Sequence, residues 1–489
     1  MKTAVNLRTV NLIIRTICTL GLLAIARAAI ADTDFGSRFD EIKKTASNAE
    51  LYQFLYDLPK GGDIHNHQGG ANWPEWWYRV ATDKAITHGA TFYTRTKILN
   101  ETGSTASLLY FMTIPGWQYD QLSADRKQEY EPLDHLDSDT KAKWLASLWL
   151  NEPGKKGRDE FFDRIFPRIG GMISDPYVTL ELLVENMKRF GAEGVRYIET
   201  QNAIFGINGP IHFDQHGKPI TMDQMAEMYR RRLQEPDAIA TGVTVRFQAV
   251  VIRFTPFAIQ GVEDAYAFVD RNRDYWVGIN MAGREDNERG YPAKFVDVYR
   301  KMMGKYSGIK LSIHAGESDE PNHHIRDTLI LGADRIGHGV NLLSDPDTML
   351  AMKGNKTLVE INLISNKLLE YVPNFADHPF PRLLRFGIPV CLNTDDRGMW
   401  GSDMTDEYYV AVKNFNLSWD EIVQLGRNSL EYSFAQPEIK AQLLKSYTEA
   451  VENFEKKYSG YWKRGVESVI PVVSPYAKRE LELGKIGEQ

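Results

Sequence analysis

The chain has 489 residues, 43% of them hydrophobic and 25% charged, with a formal net charge of −7. That composition is ordinary for a globular protein, long enough for one large domain with insertions or for two or three smaller ones. An acidic chain with no basic run is a poor partner for nucleic acid, because neutralising phosphates needs clustered Lys and Arg.

The first 31 residues stand apart. Lys2, Arg8 and Arg15 are followed by a short apolar run, Ile17 to Ile25, and by Ala29-Ile30-Ala31 ahead of Asp32. This pattern reads as a secretory signal peptide with a small-x-small cleavage site. A membrane anchor is the competing reading, but spanning a bilayer takes about 20 apolar residues. Cleavage would remove four positive charges, shift the net charge from −7 to −11, and export the remainder to the periplasm or beyond. Cys18 would leave with that segment. Cys391 stays alone in an apolar run, where it reads as a buried strand cysteine rather than a nucleophile. The rest, residues 32–489, is expected to form a single domain with no stable membrane span.

Taken in chain order, short apolar segments recur at Asp63–Gln68, Val195–Thr200, Val243–Phe254, Tyr275–Ala282, Ile309–Ala315, Arg335–Gly339, Thr357–Ile364 and Ile388–Thr394. Runs such as VRFQAVVIRF and IPVCLNT are continuous rather than alternating, which suits parallel strands covered on both faces. Helical patterns lie between most of them, at Val178–Phe190, Met222–Leu233, Val262–Arg271, Lys294–Met303 and Pro379–Phe386. Strand–helix alternation argues for α/β with a parallel sheet, and eight strands are what a closed (β/α)₈ TIM barrel requires. Between the first and second strands, residues 85–175 form a long insertion rich in aromatic and charged residues. Its composition fits a lid, a wall of the binding site or a dimerisation element, so a homodimer stays open. Trp419–Leu430 and Ile439–Tyr458 read as closing amphipathic helices.

Chemistry-bearing residues collect at strand ends. His65 and His67, two apart in GGDIHNHQGG, point to the same face of a strand. His314 and Glu317 lie in IHAGE, His338 in DRIGHG, and Asp395 and Asp396 in CLNTDD. Each alone is weak, since a strand-end histidine is usually structural and an Asp-Asp pair is usually a solvated turn. All six His and Asp positions fall at C-terminal strand ends, and in a barrel those ends converge on one rim. His88, His135, His212, His216, His323, His324 and His378 have no such placement and read as surface or core residues. Three histidines and a carboxylate suit zinc with one position left for water, whose pKa zinc lowers from about 15.7 toward about 7. Glu317 and His338 are the candidates to move protons. A second metal would need another bridging ligand near the end of the fourth strand, but GINMAGRE offers no lysine or histidine, so one zinc per chain is expected.

The segments LPKGGDIHNHQGGA, NMAGRE, SIHAGE, DRIGHG and NTDD, in that order, resemble the motifs of the metal-dependent adenosine deaminase family. ISNKLLEYVPNFADHPFPRLL and RNSLEYSFA look like its secreted, growth-factor-related branch. The resemblance runs from about Leu58 to Ala435. It implies that His65, His67, His314 and Asp395 bind zinc, with Asp395 also part of the catalytic set. It implies that Glu317 protonates purine N1 and that His338 orients or deprotonates the attacking water. Asp396 would bond N7, the backbone of Gly283 would meet N3, and adenosine or 2′-deoxyadenosine would become inosine or its deoxy form plus ammonia.

Two departures matter. Intracellular members carry an acidic ribose contact where this chain has Gly69, which touches the identity of the 6-aminopurine more than the reaction. The insertion has no cysteine, so a receptor-type role does not carry over. The zinc deaminases with H-x-E and P-C-x-x-C are excluded by the cysteine count. A barrel hydrolase of a cyclic amide or ester would give Glu317 and Asp396 no obvious role. A non-catalytic nucleoside-binding protein would be expected to have lost at least one rim residue, and none is lost.

Overall fold

The computed structural model describes residues 35–99, 106–150, 157–203, 210–286 and 290–483. The expected signal peptide lies outside the described residues. Eight strands form one parallel sheet: β1 (Gly61–His67), β2 (Val195–Asn202), β3 (Thr244–Ile252), β4 (Trp276–Ala282), β5 (Lys310–Ala315), β6 (Arg335–His338), β7 (Leu358–Ile361) and β8 (Val390–Leu392). Each strand pairs with the next in chain order. Strands β6, β7 and β8 are buried at every position, as the continuous apolar runs require. The expected (β/α)₈ barrel is therefore the observed one.

The barrel closes between β8 and β1 by a parallel bridge, Asn66 to Asp395, just past the end of β8. His67 N–H donates to the Asp395 carbonyl and Asp395 N–H to the His65 carbonyl. Below that bridge, side chains replace the backbone ladder. Asn393 Oδ1 accepts from Ile64 N–H at 3.0 Å, and the Asp63 carboxylate accepts from the N–H and hydroxyl of Thr394 at 3.0 and 2.6 Å. A buried strand must satisfy its amides, and these two side chains do so along the seam.

The helices begin where their caps say they should. Thr221 with Gln224, and Ser418 with Glu421, form capping boxes for Met222–Leu233 and Trp419–Glu431. Asp175 caps Pro176–Ala192, with proline at the first helical position. Helices at 35–45 and Asn48–Asp57 precede the barrel and were not expected.

The seventh strand is shorter than its apolar run predicts. Expected over Thr357–Ile364, it stops at Ile361, and a helix runs from Leu363 to Leu368. Periodicity cannot separate a buried strand from a buried helical turn in such a run. The boundary is set from elsewhere: the buried Glu407 carboxylate accepts the N–H groups of Leu363 and Ile364 at 3.0 and 3.2 Å, satisfying the open helix start. Within the insertion, Phe92–Arg95, Thr113–Pro115 and Tyr130–Pro132 form a small antiparallel sheet, and Phe166–Ile173 packs against Gly69, two residues past β1. Cys391 is buried on β8, as expected.

Candidate functional site

The predicted rim residues meet at the C-terminal end of the barrel. His65 is fully buried and His67 partly so, their rings 5.8 Å apart. The His314 ring lies 4.4 Å from His65 and 5.2 Å from His67. Asp395 Oδ1 lies 3.2 Å from His67 Nε2 and 3.7 Å from His65 Nε2. Asp395 reaches this position because it sits past the end of β8 in the left-handed region, at φ +53°. Its other oxygen takes the Ser365 hydroxyl at 2.6 Å.

Outer partners hold the ring orientations. His65 Nδ1 meets Glu360 at 2.7 Å and His314 Nδ1 meets Asn280 Oδ1 at 2.9 Å. Both arrangements direct Nε2 inward, and His65 Nε2 is buried with no hydrogen-bond partner among the described residues. Carboxylate- or carbonyl-anchored imidazoles with free inward nitrogens are what a bound metal needs. The donor atoms of His65, His314, His338 and Asp395 lie within 4.8 Å of one another, as do those of His67, Asp395 and Asp396. The residues therefore fit a cation. The field agrees: burial works against a charge on His65, yet Asp395 and Glu360 outweigh it and raise this imidazole to about 10.

Glu317 lies across from the histidines, its Oε1 3.7 Å from His338 Nε2. Burial, then the nearby Asp395 and Glu285 carboxylates, push it well above the usual carboxyl range. The Ala-Gly-Glu turn that carries it needs glycine, because Gly316 has φ +73° and an added Cβ would stand 2.5 Å from Ile325. Asp396 is likewise raised, to about 8, chiefly by burial and then by Asp395, and its Oδ1 has no hydrogen-bond partner among the described residues. Gly70 makes room for it: a Cβ there would lie 1.5 Å from Asp396 Oδ1. Gly283 follows β4 at φ +108°, backed by the Phe254 ring.

Sequence reasoning missed several supporting residues. Glu285 accepts the Gly316 and Glu317 N–H groups at 3.0 and 3.3 Å and meets His324 Nδ1 at 2.6 Å. His324 is thus a buried support of the Glu317 turn, whereas His323 is exposed. Glu285 was visible as the last letter of NMAGRE, but only the fold shows that it serves the next strand. His88, His135 and His216 are exposed, and His212 and His378 are buried, none of them at the metal cluster. Ser365 and Asn366 come from the helix that the overlong seventh strand concealed.

A cavity of about 790 Å³ opens beside Glu317, with Glu285, Ser318 and His324 in its lining. Its arginines are committed: Arg158 to Asp319 at 2.8 Å, and Arg284 to Asp159 and Asp286 at 2.9 and 2.7 Å. Among the described residues, no helix is long and apolar enough to cross a membrane.

Residues 161–450 match the family model described as adenosine deaminase. An adenosine deaminase of Plasmodium gallinaceum is 35% identical over 40% of this chain and 54% of its own length. One of Vibrio cholerae is 30% identical over 42% of this chain and 62% of its own. These matches thus span about half to three-fifths of the curated relatives. Among solved structures, an adenine deaminase of Arthrobacter aurescens superposes with a TM-score of 0.58 at 20% identity, over 81% of this chain and all of that one. The N6-methyl-AMP deaminase of Arabidopsis thaliana gives 0.56 at 19%, over 82% and 99%. Arabidopsis ADAL complexed with IMP gives 0.59 at 19%, again over 82% and 99%. At such identities the likeness is one of fold.

Proposed function

Because the chain belongs to the adenosine deaminase family, we propose that it is an exported, zinc-dependent hydrolase that deaminates adenosine or a close 6-aminopurine nucleoside. His65, His67, His314 and Asp395 would hold one zinc. When bound, that ion supplies a Lewis acid that brings the pKa of water from about 15.7 toward about 7.

The observation that carries the reading is the placement of Glu317, a buried carboxyl 3.7 Å from His338 Nε2 whose pKa is raised by burial and by the Asp395 and Glu285 carboxylates. A purine is deaminated at C6 only if N1 takes a proton as the ring loses aromaticity, and a carboxyl that stays protonated near neutral pH is the donor for that step. Purine N7 is an acceptor, so Asp396 must present an O–H to it, which its elevated pKa of about 8 allows. Water adds to C6, the 6-amino group leaves as ammonia, and inosine remains. His338 would face the attacking oxygen, and the backbone of Gly283, after β4, would meet N3.

A nucleoside is favoured over a nucleotide, the substrate class of the N6-methyl-AMP deaminase of similar fold. The cavity beside the Glu317 turn is lined by Asp159, Glu285, Asp286, Asp319, Glu320 and Glu370 against Arg158, Arg284 and Lys294, and both arginines are already paired with carboxylates. A phosphate would meet net negative charge there. At Gly69, where the resemblance leads one to expect an acidic ribose contact, Ile173 stands 3.0 Å from the place of a Cβ. The insertion thus supplies an apolar wall instead. Export is supported by the charge, apolar run and Ala-x-Ala pattern of residues 1–31.

The test is the ultraviolet change on adding adenosine, with and without a zinc chelator. Conversion to inosine that chelation abolishes and zinc restores is expected. Zinc-loaded protein inactive on adenosine, 2′-deoxyadenosine and other 6-aminopurines would overturn the reading. N-terminal sequencing of the exported protein should begin at Asp32.

A further inference from the structure

We propose that Asn366 and His378 are positioning residues that fix His338 as the tautomer protonated on Nε2, so that His338 meets the reacting oxygen as a hydrogen-bond donor. What that oxygen attacks rests on the deaminase reading above, but the tautomer does not.

The argument starts from a group whose polarity is fixed. Phe380 N–H donates to His378 Nδ1 at 3.1 Å. A backbone amide can only donate, so Nδ1 of neutral His378 is bare and its proton is on Nε2. That Nε2 lies 3.0 Å from Asn366 Oδ1, which accepts it. The Asn366 amide is thereby oriented with Nδ2 outward, 2.9 Å from His338 Nδ1. An amide nitrogen also can only donate, so His338 Nδ1 is an acceptor and its proton must sit on Nε2, the nitrogen that faces Glu317 at 3.7 Å. Asn362 Nδ2, 3.2 Å from the same Nδ1, points the same way. Turning the Asn362 amide over would demand the opposite tautomer, but it would then contradict Asn366, whose orientation is tied to the backbone.

The frame is enclosed. His338, His378, Asn362 and Asn366 are all buried. The Asn366 carbonyl accepts Tyr371 and Val372 N–H at 2.9 and 3.2 Å. Away from bulk solvent, each polarity in the chain dictates the next.

Histidine-selective ¹⁵N labelling of the full zinc-loaded protein, read by long-range ¹H–¹⁵N correlation, reports which ring nitrogen is bare. The His338 signals are assigned by their loss in H338N. A bare Nδ1 and protonated Nε2 are expected, and the reverse pattern overturns the proposal. In N366D an acceptor of the same shape replaces the donor, so His338 should gain a proton on Nδ1. For adenosine, kcat should fall on the order of 10²- to 10⁴-fold, the range of general acid–base and wrong-tautomer effects, with KM and zinc content little changed. H378Q keeps an N–H toward Asn366 and should retain most of kcat, whereas H378L should not. If N366D folds poorly, the wild-type spectrum still decides. An Nε2–H tautomer in a protein that deaminates no 6-aminopurine would sink the function and leave this assignment standing.

Discussion

In the lower layer of the barrel, every charge has company. Glu360 takes Ser312 at 2.8 Å, Arg335 at 2.6 Å and His65 at 2.7 Å, and Arg335 reaches on to Glu199 at 2.7 Å. Gln248 links Glu199 to Asn280 at 2.9 and 3.1 Å. One layer higher, at the rim, His65 Nε2, His338 Nε2 and Asp396 Oδ1 are buried with no hydrogen-bond partner among the described residues. Leaving a buried polar atom unpaired costs about 1–3 kcal/mol, so three together need a reason. The contrast supplies it: the lower layer is a finished structure, and the rim is half of an interaction whose other half, on the function proposed above, is a cation and a polar ring.

The largest expected effect lies in the rim. Glu317→Gln keeps shape and metal but cannot give up a proton, so kcat should drop about 10²- to 10⁴-fold; a fully active variant would remove Glu317 from the mechanism. Next comes the lower layer. Arg335→Met strands Glu199 and Glu360 in the dark of the barrel and should cost about 3–5 kcal/mol, read as a lower urea midpoint of the metal-free protein. An unchanged midpoint would mean that this layer is not the finished structure described.

His212 sharpens the comparison from outside the barrel. It is buried, and among the described residues its Nδ1 has no hydrogen-bond partner and no ligand set surrounds it. Burial lowers it from 6.5 to about 4. Above pH about 6.5 it is neutral folded or unfolded and changes nothing. Between about 6.5 and 4 the unfolded chain takes a proton that the folded chain refuses, so stability falls, by up to about 3 kcal/mol. His212→Gln should flatten the pH dependence of unfolding in that window; an unaltered slope refutes the assignment. The smallest effect joins the two layers: Glu360→Gln weakens the anchor of His65 and should loosen zinc by about 10- to 100-fold in competition with a chromophoric chelator, leaving the fold intact.

The barrel and its rim were legible because parallel strands buried on both faces leave continuous apolar runs, and because His65, His67, His314, His338 and Asp395 end such runs. What surrounds them was not. Asn366 and Ser365 sit in LISN, which reads as the tail of a strand until Glu407, more than forty residues on, caps it as a helix. Glu285 and His324 become neighbours only when β4 and β5 pair. Hydrogen bonds between distant elements leave no period in the chain, so the ligands could be read and the groups that aim them could not.

The seam has a consequence for how the protein comes into being. Asp63 and Thr394, which fasten the barrel shut, are 331 residues apart, and the expected ligands His65, His67 and Asp395 flank the same join. Closing a loop of that length is an entropic cost met only when the last strand docks on the first. A chain still emerging from synthesis, with seven strands in place, owns the three expected imidazoles, His65, His67 and His314, but not the Asp395 carboxylate that completes the set. Competence for chemistry therefore arrives with the final strand, so a truncated or unzipped molecule would be inert rather than partly active.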